Sequence, residues 1–282
     1  MAAPSDDVAV TVDGCPVNSR RWGQPGRPGI VLVHGGGANS HWWDHLAPLI
    51  ARDEYRVAAI DLSGHGDSGR RSDYTHGRWA EEVLAVAHDA EISGPPIVIA
   101  HSMGGWVAIT AAATYGDALA GIMILDTPVW RLAPEEQAAK RREAFGPLRT
   151  YPTLDAALER YRTVPDQPTS LPYVVDHIAR NSARRTADGW TWKFDPEIFA
   201  FRLPTGDTLQ RVTSRVALFR SQNGLVTADI GDYMYEQLGR VAPVIEIPLA
   251  WHHVMLDQPL PLLVGLRTLL ADWEHSDPYR RS

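Results

Sequence analysis

The run Pro96-Ile97-Val98-Ile99-Ala100-His101-Ser102-Met103-Gly104-Gly105-Trp106-Val107-Ala108-Ile109 limits what this chain can fold into more than any other stretch. A β-branched apolar run that breaks at a small-Xaa-Ser-Xaa-Gly turn and continues into Ala-rich sequence reads as strand, tight turn and helix, with Ser102 at the apex of a nucleophile elbow. So sharp a turn brings its own neighbours into contact, which leaves little room for a side chain two residues before or after the serine. Ala100 and Gly104 stand there, the first one methyl larger than the commoner glycine. The five-residue pattern recurs by chance in Gly- and Ser-rich proteins, and its place between strand-like and helix-like sequence is what gives it weight.

The flanking chain has the alternation such an elbow needs. Ile30–Val33, Tyr55–Ile60, Gly121–Leu125, Val216–Phe219 and Val244–Ile247 read as strands, the first an unbroken apolar run of the kind buried on both faces. Between them lie segments of helical spacing, at Asn39–Arg52, Gly77–Ile92, Val107–Tyr115, Asp229–Leu238 and Pro259–Trp273. Together they predict an α/β fold with a mostly parallel, doubly wound sheet. Ahead of them, Val8–Val12 and Val17–Trp22 around Asp13-Gly14 predict an antiparallel hairpin of edge strands. From Pro128 to Pro204 the alternation stops. Helix-like stretches (Pro134–Phe145, Leu154–Tyr161, Val174–Ser182) and many aromatic residues, Trp130 among them, predict an inserted helical cap. The expected division is a core domain of residues 1–128 and 205–282 with a cap of residues 129–204.

With 282 residues, 44% hydrophobic and 22% charged, the chain is long enough for one such domain and its insertion. A net charge of −7 argues against a nucleic-acid or anionic-membrane partner, and the short basic runs Lys140-Arg141-Arg142 and Arg184-Arg185 read as solvated helix faces. Cys15 is the single cysteine, so an intrachain disulfide or cysteine-rich metal site is excluded. The first residues have no apolar leader and no run reaches membrane-span length, so a soluble cytoplasmic protein is expected. His41 and His45 are four apart but lack an acidic partner in a metalloprotease arrangement, so no metal is expected, and no cofactor motif is found. The Gly64–Gly69 turn lacks the Gly-Lys-Ser/Thr of a phosphate loop and reads as structural.

Three further places attract chemistry. His34-Gly35-Gly36-Gly37 ends a buried strand where turned backbone N–H groups can face a crevice and stabilise an oxyanion. Asp126 ends the strand after the elbow helix, and its alternative reading is a cap of the turn before Pro128. Of eleven histidines most belong to surface or core, but His252 follows the final strand, where ligands gather at the carboxyl end of a sheet.

In order along the chain, His34-Gly35-Gly36, Gly64-His65-Gly66-Asp67-Ser68, His101-Ser102-Met103-Gly104-Gly105 and His252 with Leu256-Asp257-Gln258-Pro259 resemble the α/β-hydrolase fold family, in its capped esterase- and lactonase-like branch. The resemblance covers nearly the full length. It implies Ser102 as nucleophile, His252 as general base and acid, a carboxylate that orients the imidazole, and an oxyanion hole of the Met103 and Gly36 N–H groups. Relatives usually carry the acid in the loop after the strand at Val216–Phe219, yet Arg220–Val226 contains none. Others place it where Asp126 stands, giving the order Ser102, Asp126, His252, with Asp229 and Asp232 as alternatives. A serine nucleophile argues against dehalogenase and epoxide-hydrolase chemistry.

The expected activity is cofactor-free hydrolysis of a carboxylic ester or lactone with a hydrophobic or aromatic group, with Trp130, Gly37 and His101 as candidate substrate contacts. The Gly35-Gly36-Gly37 run could leave room for a bulky ester. Other readings are non-hydrolytic, cofactor-independent chemistry of the lyase or ring-cleaving dioxygenase type, although those dioxygenases carry histidine where Met103 stands, or a non-catalytic small-molecule receptor. A homo-oligomer is allowed.

Overall fold

The computed structural model describes residues 4, 6–52, 54–131, 148–199 and 203–276. Its main sheet contains β1 (Asp6–Val12), β2 (Cys15–Trp22), β3 (Gly29–Val33), β4 (Arg56–Ile60), β5 (Ile97–His101), β6 (Gly121–Leu125), β9 (Arg215–Asn223) and β10 (Val244–Trp251), in the order β1-β2-β4-β3-β5-β6-β9-β10. From β4 to β10 every neighbouring pair is parallel, while β2 runs antiparallel to both β1 and β4. The sheet is therefore mostly parallel, as the alternation predicts. The hairpin is present, but β2 is no edge strand: Ser19 to Trp22 pair with Ile60 to Val57. Val17, Ser19 and Arg21 point one way, Arg21 reaching the Asp89 carboxylate at 2.6 Å, and the strand is shielded on both flanks.

The short central strands are buried on both faces, and residue parity sorts their side chains into two cores. Val31, Val33, Val98, Ala100, Ile122 and Ile124 pack on one side with α2 (His76–Asp89) and α3 (Met103–Tyr115). Ile30, Leu32, Ile99, Met123 and Leu125 pack on the other with α1 (Ala47–Ala51) and the closing helix Pro259–His275. The closing helix buries Leu262, Leu266, Leu270 and Trp273 at four- and three-residue spacing. Among the described residues, no helix is long and apolar enough to cross a membrane.

Three expectations are corrected by local chemistry. The single helix expected over Asn39–Arg52 is a 3-10 turn (Ser40–Trp43), capped by the Asn39 side chain, followed after a break by the short α1, which starts around Pro48. Proline has no N–H for the preceding turn and suits a helix start. Second, the segment between β6 and β9 contains a hairpin, β7 (Ala183–Thr186) and β8 (Gly189–Trp192), beside the helices Leu154–Leu158 and Pro172–Asn181. Arg184-Arg185 thus lies on a strand, not on a helix face. Trp190 of β8 also exchanges backbone hydrogen bonds with Tyr151. The stretches Pro134–Phe145 and Lys140–Arg142 lie outside the described residues.

The Gly64–Gly69 turn is where that segment meets the sheet. Gly66 N donates to Lys193 O at 2.7 Å and Asp195 N to Gly64 O at 2.8 Å. Gly66 has φ of 54°, and a Cβ there would lie 2.3 Å from the Asp61 carboxylate, which itself accepts from Ser40 N and Asp67 N. A second tie joins His177 Nε2, on the helix Pro172–Asn181, to Asp44 Oδ2 at 2.7 Å.

Candidate active site

The elbow forms because β5 delivers the chain into α3 with a single residue between them. That residue is Ser102, with φ of 53° and ψ of −121°, a conformation that costs a non-glycine residue about 1–3 kcal/mol. Its surroundings hold it there: Ser102 N donates to Leu125 O, Gly105 N and Thr127 Oγ1 both donate to Ser102 O, and a Cβ on Gly104 would lie 2.5 Å from His34 O. Gly105 is equally constrained, since a Cβ would fall 2.0 Å from Thr127 Oγ1. The small residues therefore let α3 sit directly on the ends of β3 and β6.

His252 follows β10, and its ring bridges two groups. Nδ1 lies 2.7 Å from Asp126 Oδ2 and Nε2 lies 3.0 Å from Ser102 Oγ. An ionised carboxylate only accepts, so Nδ1 carries the proton and donates, leaving the Nε2 lone pair to accept the Ser102 hydroxyl. Asp126, also at positive φ (45°), is almost fully buried. Burial pushes its carboxyl up, but the hydrogen bond and charge of His252 and the Leu225 and Ser221 N–H groups bring it below its ordinary value. The end of β9 and the loop after it, which carry no acid of their own, wrap the one from β6: Leu225 N donates to Oδ2, and Ser221 N and Val226 N to Oδ1. Gly224 lies so close that a Cβ would sit 2.3 Å from Oδ2. Asp229 is exposed and takes a hydrogen bond from Thr227 Oγ1, and Asp232 is exposed, so neither joins this group.

Two backbone donors stand beside the serine. Met103 is the first residue of α3, so its N–H has no acceptor within the helix. Gly36 belongs to a turn closed by Ala38 N donating to Gly35 O at 3.2 Å, and His34 Nδ1 donates to the same carbonyl. That turn abuts the elbow, because a Cβ on Gly35 would lie 3.2 Å from Ser102 Cβ and one on Gly36 3.5 Å from Met103 Sδ. Such donors can hold the oxyanion that forms when a hydroxyl adds to a carbonyl.

Ser102, Gly36, Gly37 and His101 line a cavity of about 370 Å³. Trp130, a candidate contact from the sequence, does not line it among the described residues. Its ring packs 6.2 Å from that of Trp106, on the α3 side of the sheet, where Trp106 Nε1 donates to Pro128 O. Tyr151, Tyr161 and Trp192, from the aromatic residues of the expected cap, also line the cavity, whereas the sequence reading missed Trp42 and His253 as lining groups. His253 follows His252 directly, and that adjacency was the available signal. His101 Nε2 donates to the His252 carbonyl at 2.9 Å and so holds its backbone; burial and the neighbouring His252 push the His101 ring down to about 3, keeping it neutral. Burial likewise holds His253 well below its ordinary value, and its Nε2 donates to Pro165 O.

Among the described residues, two groups have metal-ligand spacing. One nitrogen from each of His101, His252 and His253 lies within 4.8 Å of the others, and Nδ1 of His101 and of His253 has no hydrogen-bond partner among the described residues. His41, Asp44 and His177 form the second, but there both imidazoles and the Arg20 guanidinium already converge on the Asp44 carboxylate.

Residues 30–265 match the sequence model of the alpha/beta hydrolase family, and the chain belongs to that family. Among its relatives, an esterase of Mycobacterium tuberculosis is 28% identical over 262 residues, covering 90% of this chain and 86% of the esterase. A solved structure of that esterase, from a study of its inhibition by transition metals, superposes with a TM-score of 0.74 at 24% identity, over 96% of this chain and 93% of the other. A pimeloyl-[acyl-carrier protein] methyl ester esterase of Neisseria meningitidis is 29% identical over 183 residues, covering 56% of this chain and 69% of the relative. The E-2-(acetamidomethylene)succinate hydrolase shares the fold at a TM-score of 0.79 and 21% identity, over 94% of this chain and 99% of that structure.

Proposed function

We propose that this α/β hydrolase is a carboxylic ester hydrolase that works through an acyl-enzyme on Ser102. The observation that carries the reading is the unbroken relay from the Asp126 carboxylate through both nitrogens of His252 to Ser102 Oγ, at 2.7 and 3.0 Å. Ser102 Oγ attacks the ester carbonyl carbon as its proton passes to His252 Nε2, and the oxygen that gains charge is held by the Met103 and Gly36 N–H groups. When the tetrahedral adduct collapses, the C–O bond to the alcohol breaks and the alcohol leaves with the proton from His252. Water then repeats the sequence: His252 takes its proton, hydroxide adds to the acyl carbon, and Ser102 leaves reprotonated as the free acid departs. Asp126 stays ionised throughout and keeps the imidazole in the productive tautomer.

Residues 129–204 serve as a cap in this reading, placing Tyr151, Tyr161 and Trp192 over the cavity to take a hydrophobic or aromatic part of an ester or lactone. No cofactor takes part. Transition metals are inhibitors here, because an ion on the imidazoles of His101, His252 and His253 competes for a base that catalysis needs; the inhibition described for the M. tuberculosis esterase supports this.

The test is intact-mass labelling with a fluorophosphonate. Wild type is expected to gain one adduct, Ser102→Ala none, and 4-nitrophenyl butyrate to be hydrolysed by the first only. A folded wild-type protein that takes no adduct and turns over no ester overturns the reading.

A further inference from the structure

Resting on the ester-hydrolase reading, we propose that the substrate is an anionic ester, one bearing a carboxylate or phosphate group remote from its scissile carbonyl. The ground is the charge of the cavity wall. Arg149, Arg160 and Arg162 line the cavity that contains Ser102, and no aspartate or glutamate is among the described residues that do. Three guanidinium groups with no carboxylate among the described lining residues run against the composition of a chain whose net charge is −7. The guanidinium groups of Arg149 and Arg160 make no ion pair or hydrogen bond among the described residues. Among the described residues Arg162 uses only Nη1, which donates to the carbonyls of Glu159 and Tyr161.

The backbone that carries these arginines is anchored. Arg149 O accepts from Thr191 Oγ1 at 3.0 Å, and Tyr151 pairs with Trp190 of β8 through two backbone hydrogen bonds. On the other side of the helix Leu154–Leu158, Tyr161 stands between Arg160 and Arg162, its ring 5.6 Å from that of Trp192, with Tyr151 at 5.8 Å from the same indole. The arginines thus flank two aromatic residues that share one partner. Aromatic walls take the hydrocarbon part of a ligand, whereas guanidinium groups recognise a carboxylate or phosphate through paired N–H donors. A concave site of one sign also concentrates counter-charged ligands before they bind.

The experiment compares methyl hexanoate, monomethyl adipate and methyl 6-phosphonooxyhexanoate by methanol release at low salt, using the full chain. We expect kcat/KM for one or both anionic esters to exceed that for methyl hexanoate by about tenfold or more, with the advantage shrinking at about 0.5 M salt. The relative size of the two arms tells carboxylate from phosphate recognition. In the Arg149→Gln/Arg160→Gln/Arg162→Gln variant the anionic-to-neutral ratio should fall towards one, and Arg160→Gln alone, at an exposed position, should lower it in part. Equal or poorer use of both anionic esters by a wild type that hydrolyses methyl hexanoate, or a ratio unchanged in the triple variant, overturns the proposal while leaving the ester-hydrolase reading intact. If no methyl ester is turned over but Ser102 is labelled, the same comparison is read as protection of Ser102 from the fluorophosphonate. Adipate or 6-phosphonooxyhexanoate should then protect at lower concentration than hexan-1-ol, and equal protection overturns the proposal. Absence of both turnover and labelling overturns the ester-hydrolase reading itself.

Discussion

The ends of the central strands and the wall opposite them are built on different principles. Ser102, Asp126 and His252 sit one residue past β5, β6 and β10, and their backbones are locked by the sheet, by α3 and by the loop after β9. The wall formed by residues 148–164 is tied to the rest by a hairpin, a few backbone hydrogen bonds and the clasp between His177 and Asp44. Reacting groups need placement within a fraction of an ångström and gain from rigidity. Groups that choose a substrate tolerate, and can exploit, a looser frame.

That contrast can be broken most severely at the elbow. Ser102→Ala should lower kcat for any ester by about 10⁶-fold, read from initial rates at high enzyme concentration. Ser102→Gly should be as inactive yet more stable, because glycine relieves the positive φ; a rise in Tm of about 2 °C is expected by calorimetry, and a fall would deny that the turn is strained. Asp126→Asn should keep the fold, by circular dichroism, and lose about 10⁴-fold in turnover, since the amide favours the wrong imidazole tautomer. A loss under about tenfold would remove Asp126 from the relay. Gly224→Ala pushes a methyl against the Asp126 carboxylate and should cost about 10²-fold in kcat with little change in KM.

Smaller effects probe the electrostatics around the same turns. Micromolar Zn²⁺ or Cu²⁺ should inhibit ester hydrolysis reversibly, with chelator restoring the rate, and His253→Phe should weaken the inhibition more than it lowers metal-free activity. The smallest expected effect is at Asp257, whose carboxyl is pushed up to about 6 by burial against the hydrogen bonds of the Trp251 and Gln258 N–H groups. A carboxyl raised in the folded state binds protons more tightly there than when unfolded. Its contribution therefore favours the fold at low pH and declines between about pH 4 and 6. Asp257→Asn should gain in Tm relative to wild type over that interval, and a constant difference would contradict the assignment.

The sequence carried the parts that are dictated locally. β3, β4, β5 and β6 are legible because burial on both faces demands continuous apolar runs, and the elbow is legible because close packing permits only small residues at Gly104 and Gly105. Asp126 was reached through an absence, the missing acid between Arg220 and Val226. What stayed hidden depends on tertiary pairing. The strand Ala183-Arg184-Arg185-Thr186 has no apolar alternation, since it is mostly exposed and held by β8. Trp130 was misplaced because an aromatic residue in a lid-like segment can serve either its own core or a ligand, and only its neighbour Trp106 decides. The cavity arginines were unreadable for the same reason: nothing in a linear sequence says that Arg149 and Arg162 face one space.

The end of β9 and the loop after it hold Asp126 with main chain alone, through the N–H groups of Ser221, Leu225 and Val226. Every amino acid but proline brings that donor. Substitution tolerance along this stretch should therefore follow backbone rules: proline refused at positions 221, 225 and 226, any Cβ resisted at 224, and wide freedom at the exposed Asn223, whereas Gln222 is held by its Oε1, which accepts from Leu249 N. The exposed positions of this stretch, Asn223 and Leu225, would then drift among relatives like ordinary surface, and a search for functional positions by residue conservation would pass over them.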